Sequence, residues 1–250
     1  MVKRPEVLAI VPARGGSKGI PRKNIRNFAG SPLISYSIVA GLQSKWVSRV
    51  ILSTDDEEIA AVGRRFGAET PFMRPPEFAQ DQSLDLPVFQ HALTWLKENE
   101  GYEPDLVIQL RPTSPVRPRT LVDEAVQLMV DHPEADSVRG IVPSGQNPHK
   151  MWKIDAATGQ MRPLLQVEGL AEPYNSPRQI LPSTFWQTGH IDVIRPNVIL
   201  EKNSMSGSVI LPVMVDPSFM VDIDNMNDWM RAEYLVYHSG LDMVYPRRKH

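Results

Sequence analysis

Residues 7–24 read VLAIVPARGGSKGIPRKN, an apolar run that ends at a proline and gives way at once to a glycine-rich, basic loop. Val7 to Val11 has the length and composition of a strand buried on both faces. Outward from it the same rhythm repeats. Ser31 and Pro32 read as the N-cap and first residue of a helix that places Ile34, Ile38 and Leu42 on one face. Residues 49–54 read as a second strand, and Asp55 and Asp56 open a helix that Gly67 closes. Val88, Ala92 and Leu96 mark a helix, 106–110 a strand, Leu121, Ala125 and Leu128 a helix, and 137–142 a strand. Strands are also expected at 191–194 and 209–215, with a closing helix at 227–238. Alternating strands and amphipathic helices predict a three-layer α/β fold with a mostly parallel central sheet. Ligands bind such sheets at the carboxyl ends of the strands, so the loops after Val11, Thr54 and Leu110 should surround one crevice.

Between residues 143 and 182 the rhythm fails, because six prolines interrupt the stretch. The expected organisation is a core of 1–142 and 183–245, an irregular insertion at 143–182, and a frayed basic tail at 246–250. The 250 residues, 42% hydrophobic, suffice for one large domain with a modest insertion. Net charge is -2, from 27 basic and 29 acidic side chains, which gives no sign of a nucleic-acid binder. No cysteine is present, which removes disulfides, thiolate metal sites and cysteine nucleophiles together. The first apolar stretch is too short for a signal peptide, and no run approaches the roughly 20 apolar residues of a membrane helix. A cytoplasmic location is expected.

The loop after the first strand carries the chemistry. Arg14, Lys18, Arg22, Lys23 and Arg26 fall close together, and Gly15, Gly16 and Gly19 let backbone N–H groups approach a ligand. Amide donors and cations together are what a triphosphate needs. Neither G-x-x-x-x-G-K-[ST] nor G-x-G-x-x-G is present, which disfavours P-loop kinases and dinucleotide dehydrogenases. Near the other end, residues 220–228 read MVDIDNMND. If the chain is extended there, Val221 and Ile223 face the core while Asp222 and Asp224 share the opposite face. Paired carboxylates beside a triphosphate suit Mg2+. The alternative is that Asp224 or Asn227 merely caps the following helix.

Residues 10–24 closely resemble the signature of the acylneuraminate cytidylyltransferases. STDDEEIA (53–60), RPPEFAQD (74–81), RPTSPVR (111–117), SPRQILP (176–182) and VDID (221–224) are similar to further segments of that family, in its order. The resemblance implies a Rossmann-like nucleotidyltransferase, dimeric through a small protruding domain placed here at 143–182, with CTP as donor and an acidic sugar as acceptor. It implies release of pyrophosphate as CMP passes to the anomeric hydroxyl of a sialic-acid-like 2-keto-3-deoxy acid. Ala13, Arg14, Gly15, Gly16, Ser17, Lys23 and Asn24 would hold the nucleotide, and Arg74 with Asp81, Gln82 and Ser83 would contact the cytidine. Asp222 and Asp224 would hold magnesium and, with Arg14 and Lys23, carry catalysis. Lys150, Arg178 and Gln179 would face the acceptor.

The acceptor half departs from the family pattern. Arg111 stands where sialate-activating members often carry glutamine, and Thr188, His190 and Asp192 occupy the strand start expected to touch the sugar. Legionaminic- or pseudaminic-type, deaminated and eight-carbon acids therefore stay open as acceptors. So do a sugar kinase and a non-catalytic nucleotide-binding regulator. His149 and His190 lack metal-ligand spacing and are expected to hydrogen-bond. Trp152 and Trp186 are expected in the core or an interface.

Overall fold

A computed structural model describes residues 4–246, so the tail expected at 246–250 lies, apart from Pro246, outside the described residues. In chain order the strands are β1 (Val7–Pro12), β2 (Asn27–Phe28), β3 (Ser31–Pro32), β4 (Arg49–Ser53), β5 (Leu106–Gln109), β6 (Ser137–Pro143), β7 (Trp152–Ile154), β8 (Met161–Pro163), β9 (Phe185–Ile194) and β10 (Ile210–Met214). The helices are α1 (Leu33–Gln43), α2 (Glu57–Arg65), α3 (Asp85–Glu100), α4 (Leu121–Asp131), α5 (Pro196–Leu200) and α6 (Met226–His238). Contacts group them into two units, one running to Gly140 and resuming at Thr188, the other Ile141–Gln187.

The larger unit is built on a six-stranded sheet in the order β10-β6-β9-β5-β1-β4. β1 runs parallel to both neighbours, β4 and β5, while β9 is antiparallel to β5. Val7 to Val11 are all fully buried, as a strand covered on both faces must be. Leu8 and Ile10 pack with α3 through Val88, Phe89 and Leu96, and with α5 through Val198 and Ile199. Ala9 points the other way, toward α1. A Cβ at Gly41 of α1 would lie 2.8 Å from Val50 and 3.4 Å from Ala9, so the bare glycine lets the helix settle on the sheet. Helices on both faces complete three layers.

Local signals account for several boundaries. The Asp56 carboxylate caps α2 by accepting from the Ile59 amide at 3.0 Å, and Gly67 takes a φ of 96° just past its end. The expectation for α1 needs correction. Ser31 and Pro32 pair with Asn27 and Phe28 as a two-strand ribbon, so the helix starts at Leu33 and Ser31 caps nothing. Ile34 and Ile38 are buried, but Leu42 is half exposed, because Gly41 occupies the sheet-facing position at that end of the helix. In α4, Leu121 and Ala125 are buried as expected, and Val122, Val126 and Met129 complete the face where Leu128 is only half-buried.

The smaller unit is a proline-punctuated stretch held by local bonds. β7 and β8 form a hairpin pairing Trp152 with Pro163, and the Trp152 ring lies 4.4 Å from that of Tyr174. The Asn147 side chain donates to the Pro182 carbonyl at 3.1 Å and accepts from the His149 amide at 3.0 Å.

Candidate active site

The basic loop after β1 and the aspartates before α6 meet. A Cβ at Gly19 would stand 2.3 Å from the Asp224 carbonyl oxygen, so the two backbones touch through a residue that has no side chain. Lys23 reaches across and donates to the Ile223 carbonyl at 2.8 Å. Between and beside them opens a cleft of about 420 Å³ at the carboxyl ends of β1, β4 and β5. Arg14, Ser17, Lys18, Gly19, Lys23, Asn24 and Asp224 line it on one side, and Arg74, Asp81, Ser83 and Arg111 on the other. The loop and the acid pair are more than 190 residues apart in sequence.

The five loop cations separate into two sets. Arg14, Lys18 and Lys23 line the cleft. Arg22 turns away, pairing with Asp56 at 2.5 Å and with Glu58, so it ties the loop to the start of α2. Arg26 lies over the Trp229 ring at 5.5 Å. Lys23 is partly buried, and desolvation lowers its pKa although Asp224 and Asp222 favour the charged form. The Asn24 amide donates to the Arg14 carbonyl at 2.9 Å and closes the loop on itself.

Not every glycine serves as expected. The Gly15 N–H is taken by the Asp55 carboxylate at 2.9 Å, so it offers no donor to a ligand. Ala13 is buried against β4, its N–H bonded to the Ser53 carbonyl. Neither residue lines the cleft, nor do Gly16 and Gln82. Gly19, whose shape the contact with Asp224 requires, is the glycine that matters.

Opposite the loop, Arg74 is buried, and burial lowers its pKa to about 10. It donates to the Ser53 hydroxyl at 3.1 Å and to the Ser53 carbonyl at 2.5 Å, which fixes it at the end of β4. Asp81 pairs with Arg14 at 3.1 Å and with Lys18, bridging the cleft mouth. Asp85, the first residue of α3, also lines the cleft. The residue pattern marked that helix only from Val88, which is why Asp85 was missed.

Val221 and Ile223 are buried while Asp222 and Asp224 are exposed, the alternation of an extended chain, although the segment joins no sheet. Asn225, rather than Asp224 or Asn227, caps α6, in a capping box with Asp228. The carboxylates of Asp222 and Asp224 are therefore free of capping duty. They accept no hydrogen bond and form no ion pair among the described residues. Two exposed carboxylates two residues apart, beside a basic loop, are of the type that suits a hard cation taking its remaining ligands from phosphate and water. No group of three His, Cys, Asp or Glu side chains that could hold a metal ion exists among the described residues. Asp224 forms part of the cleft wall; Asp222 does not.

The strand-start residues need a larger correction. Thr188 and His190 are buried, and neither lines the cleft. The His190 ring lies between the Val116 and Phe219 carbonyls at 3.0 and 3.2 Å. Burial and the neighbouring Arg117 guanidinium lower its pKa to about 4. The unfolded chain takes up a proton near pH 6.5 while the native ring stays neutral. This contribution is thus complete above about pH 6.5 and is lost as pH falls toward about 4, on the order of 3 kcal/mol in all. Denaturant melts across that range should show the loss, and His190→Gln should flatten it. Asp192 is also buried, but it contacts Arg111 at 2.7 Å, and Arg111 does reach the cleft.

In the smaller unit, Lys150 donates to the Ser176 carbonyl at 2.7 Å, and Arg178 donates to that of Ser144. Arg178 and Gln179 line a second hollow of about 330 Å³ within that unit.

The first loop and a distant aspartate frame a cation-lined cleft at the edge of a doubly covered α/β sheet. The chain belongs to the cytidylyltransferase family, whose profile matches residues 8–170. It is 31% identical over 231 residues to the CMP-N,N'-diacetyllegionaminic acid synthase of Legionella pneumophila, covering 92% of this chain and 96% of that one. It is 42% identical over 126 residues to a pseudaminic acid cytidylyltransferase of Campylobacter jejuni, across 50% of this chain and 53% of the relative. Among solved structures, a CMP:2-keto-3-deoxy-manno-octonic acid synthetase complexed with CTP superposes with a TM-score of 0.68 at 17% identity, covering 94% of this chain and 99% of the other. That likeness bears on the fold. The family placement bears out the resemblance to acylneuraminate cytidylyltransferases.

Proposed function

We propose that the protein transfers CMP from CTP to the anomeric hydroxyl of a sialic-acid-like 2-keto-3-deoxy sugar acid. The meeting of Gly19 with Asp224 in a cleft lined by Arg14, Lys18 and Lys23 carries this reading, because it brings a carboxylate beside cations that could neutralise a triphosphate. The names of the relatives support the acceptor class, since they cover legionaminic, pseudaminic and N-acylneuraminic acids. The bond formed joins the acceptor oxygen to the α-phosphorus; the bond broken releases pyrophosphate. Arg14, Lys18 and Lys23 neutralise charge on the phosphates, and Arg74 and Ser83 hold the cytidine side. Asp222 and Asp224 would hold Mg2+, which supplies further charge neutralisation on the phosphate oxygens when bound. Lys150, Arg178 and Gln179 are assigned to the acceptor's carboxylate. A cytoplasmic location goes with this reading, as CTP is an intracellular metabolite.

A matrix of four nucleotides against several sugar acids, read by pyrophosphate release, tests the reading. CTP with a nine-carbon acid should give the largest rate. Release of CDP without pyrophosphate would point to a kinase, and tight CTP binding with no turnover on any acid to a regulator. Removing divalent cations with EDTA should stop the reaction, and added magnesium should restore it.

A homodimer formed through the 141–187 unit is part of the proposal. This small unit exposes Ile154, Met161, Ile180, Phe185 and Trp186, apolar side chains that a second copy would cover. Sedimentation should show a dimer, and Ile154→Asp with Trp186→Asp should shift it to a monomer.

A further inference from the structure

The loop after β1 is held at both ends by two consecutive aspartates at the head of α2. Its entry prolongs the sheet: the Ala13 N–H donates to the Ser53 carbonyl at 3.0 Å, and the Gly15 N–H donates to the Asp55 carboxylate at 2.9 Å. Gly15 also lies against the next acid, since a Cβ there would stand 2.9 Å from an Asp56 carboxylate oxygen. At the exit, Arg22 donates to both Asp56 oxygens, at 2.5 and 3.2 Å, and to Glu58. Arg22 has a φ of 56°, in the left-handed region that a side chain disfavours, so its backbone needs support from outside the loop. Its carbonyl accepts from the Ile25 and Arg26 amides at 3.1 and 3.0 Å, which closes the turn that carries Lys23 and Asn24. Asp56 is itself held, because it caps α2 through the Ile59 amide.

Arg22, Asp55, Asp56 and Glu58 do not line the cleft. Ser17, Lys18 and Gly19, between the two anchor points, do line it, as does Lys23 just past the second. Any effect of the anchors on a ligand in the cleft therefore passes through the loop they hold. A loop with three glycines has many conformations open to it, and a ligand that had to order it would bind more weakly for doing so. We infer that Asp55 and Asp56 are positioning residues for the nucleotide: they pin residues 15 and 22, so that the span between meets the phosphates already shaped. This inference rests on the CTP reading proposed above, and adds that affinity for the triphosphate depends on two acids standing outside the cleft.

Calorimetric titration with CTP and magnesium, with no acceptor present, tests it. The proteins compared are wild type, Asp55→Ala, Asp55→Asn, Asp56→Asn, Arg22→Gln, and the last two changes combined. Asp55→Asn still offers an oxygen to the Gly15 N–H, and Asp56→Asn still caps α2, so each isolates one tie. Asp55→Ala should weaken CTP binding about tenfold, the value of a hydrogen bond to a charged group, and Asp55→Asn should restore it to within about threefold of wild type. Asp56→Asn and Arg22→Gln should each weaken binding about fivefold, the upper end for a part-exposed ion pair. Together they should again lose about fivefold rather than about 25-fold, because both break the same tie. A role in folding alone would lower the melting temperature and leave the CTP affinity of the folded protein unchanged. The inference is overturned if Asp55→Ala and Arg22→Gln both bind CTP within about twofold of wild type, or if the double variant loses the product of the single losses. Should Asp55→Ala not fold, the Arg22 and Asp56 variants decide alone, since Arg22 is exposed. Wild-type protein that binds CTP yet releases no pyrophosphate with any sugar acid ends the transfer reading while the titrations still judge the anchors. Wild-type protein that binds no nucleoside triphosphate overturns both.

Discussion

Asp224→Asn is expected to reduce turnover by roughly 100-fold or more while leaving the melting temperature nearly unchanged. Asp224 is exposed and lines the cleft, and its carboxylate accepts no hydrogen bond and makes no ion pair among the described residues. The fold therefore loses little with the charge. What is lost is half of the paired anion that would hold magnesium against the triphosphate. Asp222→Asn should act in the same direction. The larger effect belongs to Asp224, which alone of the two forms part of the wall. Steady-state rates at saturating CTP, with circular dichroism melts of the same preparations, check both statements. Full activity in Asp224→Asn would remove the metal site from the proposal.

Gly19→Ala is the smallest change with a large expected consequence. A methyl group at that position would meet the Asp224 carbonyl at 2.3 Å, and the obstacle is backbone, which cannot swing aside like a flexible side chain. Loop and acid segment must separate by something on the order of 1 Å, a displacement that can cost about 100-fold in rate. The loss should appear in kcat/KM for CTP, because Lys23 is bonded to the Ile223 carbonyl and moves with that contact. Gly16→Ala is the control: nothing lies within 4 Å of a Cβ there, and the residue does not line the cleft. It should behave as wild type in the same assay.

Much of the architecture could be read from local chemistry. The apolar run of β1, the aspartate cap of α2 and the glycine beyond it are short-range signals, each set by residues within a few positions of the element they define. The alternation that buries Val221 and Ile223 and exposes Asp222 and Asp224 is equally local. The loop cations were legible as a group but not one by one. Whether an arginine faces a ligand or an acid on the next helix depends on where that helix packs, and Arg22 found Asp56 and Glu58. The same limit explains Ser31. Its residue type favours a helix cap, yet pairing with Phe28 drew it into an extended ribbon.

The residues before PTSP and in β9 show the limit most clearly. As separate stretches, Arg111 and residues 188–192 looked like two sets of sugar contacts. Packing sorted them differently: Arg111 on the cleft wall, Asp192 beneath it, Thr188 and His190 in the core. By itself the sequence determined the element order, the glycine-rich and basic character of the first loop and the twin acids near the other end. Only the tertiary structure decided that these segments share one cleft, which cations enter it and which carboxylates neutralise Arg111. Backbone propensities and periodicities are local, whereas a charge takes its role from partners brought near by strand pairing and helix packing across the whole chain.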